Sequence, residues 1–204
     1  MNFKNAGFKP AIHWYNTRRG HNMKIIKWIL IVIVLLVIAL AAFLWYLGVF
    51  STPKVVEQKI GPFTLVYEEY TGPYSGSGTV MARISRELKA EGISISRGFG
   101  IYLNNPNTTV PDQLKSDLGF ILEIKDLARV KDLKKKFKVM KWDAKDCLVA
   151  EFPLRNDLSY MVGPMKAYPE LNKAIKAGGY KMGGCLEIYD MPAMKILFVF
   201  EIKK

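Results

Sequence analysis

The stretch Cys185-Leu186-Glu187-Ile188-Tyr189-Asp190 reads as a buried strand with an ionisable group in the middle of it. Strand side chains alternate, so Leu186 and Ile188 share one face and Glu187 and Tyr189 share the other. A carboxylate among apolar neighbours is costly unless water, a hydrogen bond or a cation meets it. Glu187 is therefore an outward residue on a half-exposed strand, the counter-charge of a cationic ligand, or, with a raised pKa, a general acid or base. Little else in the chain is equipped for catalysis. His13 and His21 are the only histidines, and both precede the apolar stretch described below. That removes Ser-His, Cys-His and His-metal arrangements from everything that follows. Cys147 and Cys185 are too few for a disulfide framework or a metal cluster. Two inert, buried thiols are expected, although a disulfide is permitted outside the cytoplasm. No metal and no cofactor is expected.

The elements around Glu187 repeat. Phe63 to Tyr70 alternates as a strand, and Gly72-Pro73-Tyr74-Ser75-Gly76 is a turn. Ser77 to Glu91 reads as a helix with Val80, Ile84 and Leu88 at four-residue spacing and Gly92 at its end. Strands are expected over Phe99 to Leu103 and Leu118 to Ile124, with a polar loop from Asn104 to Asp117 between them. After a short basic helix over 126–136 and a connecting strand, Phe137 to Trp142, the pattern restarts. Its second copy comprises a strand over Cys147 to Phe152, a helix over Asp157 to Ala177, and strands over Cys185 to Tyr189 and Lys195 to Ile202. Leu65-Val66-Tyr67-Glu68 matches Leu148-Val149-Ala150-Glu151, and Gly100-Ile101-Tyr102 matches Glu187-Ile188-Tyr189. The expected fold is thus α+β, a pseudo-two-fold duplicated βαββ domain with a mainly antiparallel sheet. Its halves cover about 57–124 and 137–204. We expect the helices to cover the face bearing Ile101 and Ile188. The opposite face, with Tyr102, Tyr189 and Glu187, would then line a concave groove where the halves join.

Charge and hydropathy divide the chain. Trp28 to Phe50 carries no charge and, as a helix, would span about 35 Å, enough for a bilayer core. Trp28, Trp45 and Tyr46 lie near its ends, as interfacial aromatics do. A single transmembrane helix is expected over 28–50, following a polar tail over 1–27 and preceding a linker over 51–56 and a domain over 57–204. Residues 1–56 hold seven basic and no acidic side chains. The positive-inside rule therefore places the N-terminus in the cytoplasm and the domain outside it, in the periplasm if the cell is bacterial. The remainder holds 23 basic and 18 acidic residues, so the net charge of +12 is weak evidence for nucleic acid. No nucleic-acid-binding signature is present.

The two βαββ halves, Gly100-Ile101-Tyr102-Leu103-Asn104-Asn105-Pro106, the segment Val110 to Gly119, and Leu186-Glu187-Ile188-Tyr189 together resemble the GyrI-like domain. This is the effector-binding domain of Rob- and MerR-type regulators, of the SHS2-repeat type. The membrane helix followed by this domain is similar to a membrane-anchored branch that includes a eukaryotic receptor for autophagy of the endoplasmic reticulum. The resemblance implies a cleft for amphipathic, often cationic, small molecules, with Glu187 answering the ligand's charge. Tyr102 and Tyr189 would add cation–π attraction of about 0.5–2 kcal/mol. Tyr67, Trp142 and Tyr160 are weaker candidates, and Gly119 is expected to keep the groove floor open. A small-molecule ligand and the lipid bilayer are the expected partners. Two alternatives are a hydrolase of strained electrophiles, with Glu187 as the catalytic residue, and a protein-interaction module at the membrane.

Overall fold

The computed structural model describes residues 13–203. The chain divides into one unit ending at Tyr46 and a second beginning at Leu47. The first holds α1, His13–Tyr46, and Met23–Tyr46 within it is long and apolar enough to cross a membrane, with a mean hydropathy of 3.1. Its apolar side chains, such as Trp28 and Leu36, stand exposed on all sides, so the helix has no face suited to water. Residues 13–27, read from sequence as part of a polar tail, are helical. Residues 1–12 lie outside the described residues. The apolar helix was expected to reach Phe50 but ends at Tyr46. Gly48 takes φ +77°, its carbonyl accepts from both the backbone N–H and the hydroxyl of Ser51, and Leu47 is buried. A residue in the left-handed region ends a helix, and glycine adopts it without strain.

The second unit is α+β. Its strands are β1 (Val55–Ile60), β2 (Phe63–Thr71), β3 (Arg97–Tyr102), β4 (Lys115–Ile121), β5 (Lys138–Trp142), β6 (Lys145–Pro153), β7 (Lys181–Asp190) and β8 (Lys195–Lys203). Its helices are α2 (Ser77–Ala90), α3 (Val130–Leu133) and α4 (Ser159–Gly178). All eight strands form one sheet in the order β1-β6-β8-β7-β3-β4-β2-β5, and every pairing is antiparallel. The expected duplication is visible in that order. β2-α2-β3-β4 and β6-α4-β7-β8 are equivalent, and the halves join where β3 pairs β7. The outer strands are exchanged: β1 pairs β6 of the second half, and β5 pairs β2 of the first. β1 is an unforeseen strand. It takes up Val55 and Val56 from the expected linker, and its largely exposed sequence VVEQKI gives a weak strand signal.

Both faces of this sheet are buried, and this corrects the expected orientation. The sheet curls into a half-barrel. Leu65, Phe99, Ile101, Ile121, Leu186, Ile188 and Val199 pack together on one face, joined by Ile60 of β1 and Trp142 of β5. The helices lie on the other face. Ile84 and Leu88 of α2 pack with Val66, while Ala167 and Leu171 of α4 pack with Ala150 and Phe198. The helices therefore cover the face of Glu187, Tyr189 and Tyr102, not that of Ile101 and Ile188. Alternation shows that two faces differ but cannot say which one a helix takes when each has its own core.

Candidate ligand site

α2 packs over β2 and β4, and α4 over β1, β6 and β8. The two central strands, β3 and β7, thus form the floor between the helices. Glu187 lies on that floor, opposite Gly100, and Tyr189 lies opposite Gly98. Cross-strand partners share a face, so these four positions and Tyr102 are together on the helix side.

Glu187 is buried, with 5% exposure, and its carboxylate is held by tyrosines. Tyr168, on α4, donates to one oxygen. Tyr189 donates to the other at 2.9 Å. The hydroxyls of Tyr102 and Tyr189 are 2.9 Å apart. A phenol has one proton, so with Tyr189 donating to Glu187, Tyr102 donates to Tyr189. The result is a chain that runs Tyr102 to Tyr189 to Glu187, with Tyr168 meeting the acid from the helix side. Tyr168 is fixed by a stacked contact with Phe200 and an edge contact with Phe198. Further out, Tyr74 sets its edge on Tyr102 at 4.7 Å between centroids, and Tyr160 does the same to Tyr189 at 5.4 Å.

Among the described residues, no basic side chain pairs with Glu187. Burial pushes its pKa up to about 7, and the hydroxyls of Tyr168 and Tyr189 limit that rise by favouring the anion. Burial raises Tyr168, Tyr102 and Tyr189 as well, and the neighbouring carboxylate raises them further. These phenols remain protonated donors, which is the form a buried anion needs.

The structure thus brings together Glu187, Tyr189, Tyr102 and Tyr160. Gly119, Tyr67 and Trp142 fall elsewhere. Gly119 pairs with Phe99 and Tyr67 on the opposite face. A Cβ there would stand 1.9 Å from the Val66 carbonyl oxygen, so this glycine answers close backbone approach and not a groove floor. Tyr67 and Trp142 pack in the inner core of the curled sheet. Two site residues were missed in sequence. Tyr168 lies beside Ala167 and three residues before Leu171, on the inward stripe of α4, and a hydroxyl-bearing ring on a buried stripe needs a polar partner. Tyr74 was read only as a turn residue. The two cysteines are free and occupy opposite faces: Cys147 in the inner core and Cys185 on the helix side, its Sγ 3.9 Å from the Tyr168 hydroxyl. No group of His, Cys, Asp and Glu among the described residues could hold a metal ion.

The curled antiparallel sheet with two helices on one face is similar in fold to solved structures of other proteins, among them GyrI-like domains. The crystal structure of the EcmrR C-terminal domain is similar, with a TM-score of 0.54 and 12% identity over 74% of this chain and 98% of its own. EcmrR in its DNA complex has a TM-score of 0.53 and 11% identity over 94% of this chain and 72% of its own. SAV2435 bound to tetraphenylphosphonium has a TM-score of 0.49 and 11% identity over 74% of this chain and 94% of its own. At such identities the likeness to the two EcmrR structures establishes the fold alone. No family model matches the sequence, and no curated protein matches it.

Proposed function

We propose that the chain is a membrane-tethered binding module for an amphipathic organic cation, with Glu187 as the counter-charge. One observation carries this reading. Glu187 is a buried carboxylate that has tyrosine hydroxyls but, among the described residues, no basic partner, and it is placed between two helices at the junction of two repeats. A buried anion without a counter-ion attracts a cation more strongly than one in water. The aromatic rings of Tyr102, Tyr189 and Tyr160 supply faces for the apolar part. α1 serves as the tether, with its basic flank on the cytoplasmic side and the domain beyond the membrane.

The full chain, purified in detergent, is titrated with lipophilic monocations and with neutral analogues of matching shape, following tyrosine and tryptophan fluorescence. Cations bind and neutral analogues do not, and Glu187→Gln loses the binding. Equal binding by wild type and Glu187→Gln would remove the carboxylate from the role. Alkaline phosphatase fused after Lys204 and expressed in a bacterial host is active if the domain lies outside the cytoplasm.

A further inference from the structure

The turn between β7 and β8 is Met191-Pro192-Ala193-Met194, and all four residues are exposed. Turns that face water are built mainly from Gly, Pro, Asn, Asp and Ser. This one has no polar side chain, and Met194 takes φ +49°, where a side chain is disfavoured. The equivalent loop of the first half joins β3 to β4. It is mostly Asn, Thr, Asp and Gln, with Leu103 and Val110 its exposed large hydrophobics. The fold itself therefore does not call for an apolar turn between β7 and β8.

That turn belongs to a row of exposed apolar tips. The backbone N–H of Met191 donates to the Ser96 carbonyl at 3.2 Å. The Ser96 hydroxyl donates to Glu123, and the next residue, Ile124, is 87% exposed. On the other flank, the backbone N–H of Leu154 donates to the Met194 carbonyl at 2.9 Å. From Leu154 the chain runs into α4, where Leu158 and Met161 stand exposed. Phe152, two residues before Leu154, has Gly48 against its ring, since a Cβ on Gly48 would stand 3.1 Å from Phe152 Cζ. The row thus reaches the place where the chain enters the domain. Leu47 and Pro53 are buried, and Ser51 bonds back to Gly48, so the residues before β1 are packed as part of the domain. Lys54 and Lys125, at the two ends of the row, are exposed.

We propose that this row is a lipid-contacting surface, on which Ile124, Met191 and Met194, with Leu158 and Met161 beside them, enter the headgroup region of the bilayer that α1 crosses. This rests on the tether in the function proposed above and not on the cation. Exposed apolar tips of this kind mark a surface that another body covers. A domain tied at the flank of the row, with no free linker, meets the lipid at an effective concentration that a partner in solution does not match. Aliphatic side chains reach the acyl boundary there, while lysine keeps its charge among the phosphates.

The test labels the full chain with the environment-sensitive dye NBD at one added cysteine, Ile124→Cys, Met194→Cys or Val110→Cys. Wild type, treated alike, is the blank for Cys147 and Cys185. Each chain is reconstituted in vesicles of phosphatidylcholine and phosphatidylglycerol, with a share of the lipid carrying a nitroxide near the top of one acyl chain. Burial of the tips by about 5–10 Å brings dyes at 124 and 194 within reach of the nitroxide. Those two dyes emit to the blue of the dye at 110 and are quenched several-fold more strongly. Equal quenching at all three positions, in a chain that alkaline carbonate does not wash from the vesicles, overturns the surface and leaves the tether standing. Blue-shifted dyes at 124 and 194 that the nitroxide does not quench also overturn it, because a second copy or another protein then covers the row. A chain that carbonate washes away has no tether, and the membrane part of the proposed function falls together with the surface.

Discussion

Tyr102 and Tyr189 occupy equivalent places in the two halves, and their hydroxyls meet at 2.9 Å. The same sequence offset that relates them also relates Gly100 to Glu187, and Gly100 and Glu187 are cross-strand partners. The pseudo-two-fold axis therefore passes through the Gly100–Glu187 pair. Here a single acid stands on the axis, reached directly by one half's tyrosine and through it by the other's. Tyr168 adds a second asymmetry, since the residue at the same offset in α2 is Met81.

Stability should depend on pH in the direction set by Glu187. Its folded pKa of about 7 lies above the ordinary carboxylate value, so the folded state holds a proton that the unfolded chain releases. The contribution is fully present below about pH 4.5 and is lost as the pH rises to about 7, by about 3 kcal/mol. Above that range it is flat. Urea melts across this range show the decline in wild type, and Glu187→Gln removes it. A wild-type curve that rises between these limits contradicts the assignment.

The two thiols should not react in the folded protein. Burial pushes Cys147 up to about 11 and Cys185 up to about 12, so neither forms the reactive thiolate near neutrality. They lie on opposite faces of the sheet and cannot pair without unfolding. A thiol reagent such as Ellman's should find no cysteine in the native chain and both after denaturant. A band shift on oxidation without denaturant would show the facing to be wrong.

The repeat was legible because two copies of one pattern reinforce each other. Gly100-Ile101-Tyr102 and Glu187-Ile188-Tyr189 are in phase in the structure, and their tyrosines meet. Leu65 and Leu148, aligned in the same reading, fall in different cores, so that match is one residue out of phase. A slip of one residue is invisible where both faces are apolar. The helix-bearing face was unreadable for the same reason. Tyr168 escaped because its partner is nineteen residues away on another element, and no local spacing records such a contact.

Trp142 belongs to the inner core and not to the site. It packs with Cys147, Val149 and Phe63 inside the curl, and Lys145 Nζ lies 4.5 Å from its ring centroid. Trp142→Ala should cost about 3–5 kcal/mol by leaving a cavity. The pH window of Glu187 should keep its position, because the two residues are on opposite faces. Denaturant melts at pH values on either side of that window measure both effects at once. A shifted window would place Trp142 in the site after all.

Tyr168→Phe tests whether the hydroxyl on Glu187 acts on its charge or only fills space. The phenylalanine ring keeps the contacts with Phe198 and Phe200 and removes the donor to the carboxylate. An ionised Glu187 then has one oxygen without its phenol, at a cost of about 1–3 kcal/mol. The protonated acid loses much less. The substitution should therefore destabilise the domain more at high pH than at low pH, and should push the Glu187 pKa above its present value. The loss of stability with rising pH would then extend further upward. Paired urea melts of wild type and Tyr168→Phe at pH 5 and pH 9 decide the matter. A difference that is the same at both pH values would mean that the hydroxyl does not speak to the carboxylate, and that Tyr168 is there for packing.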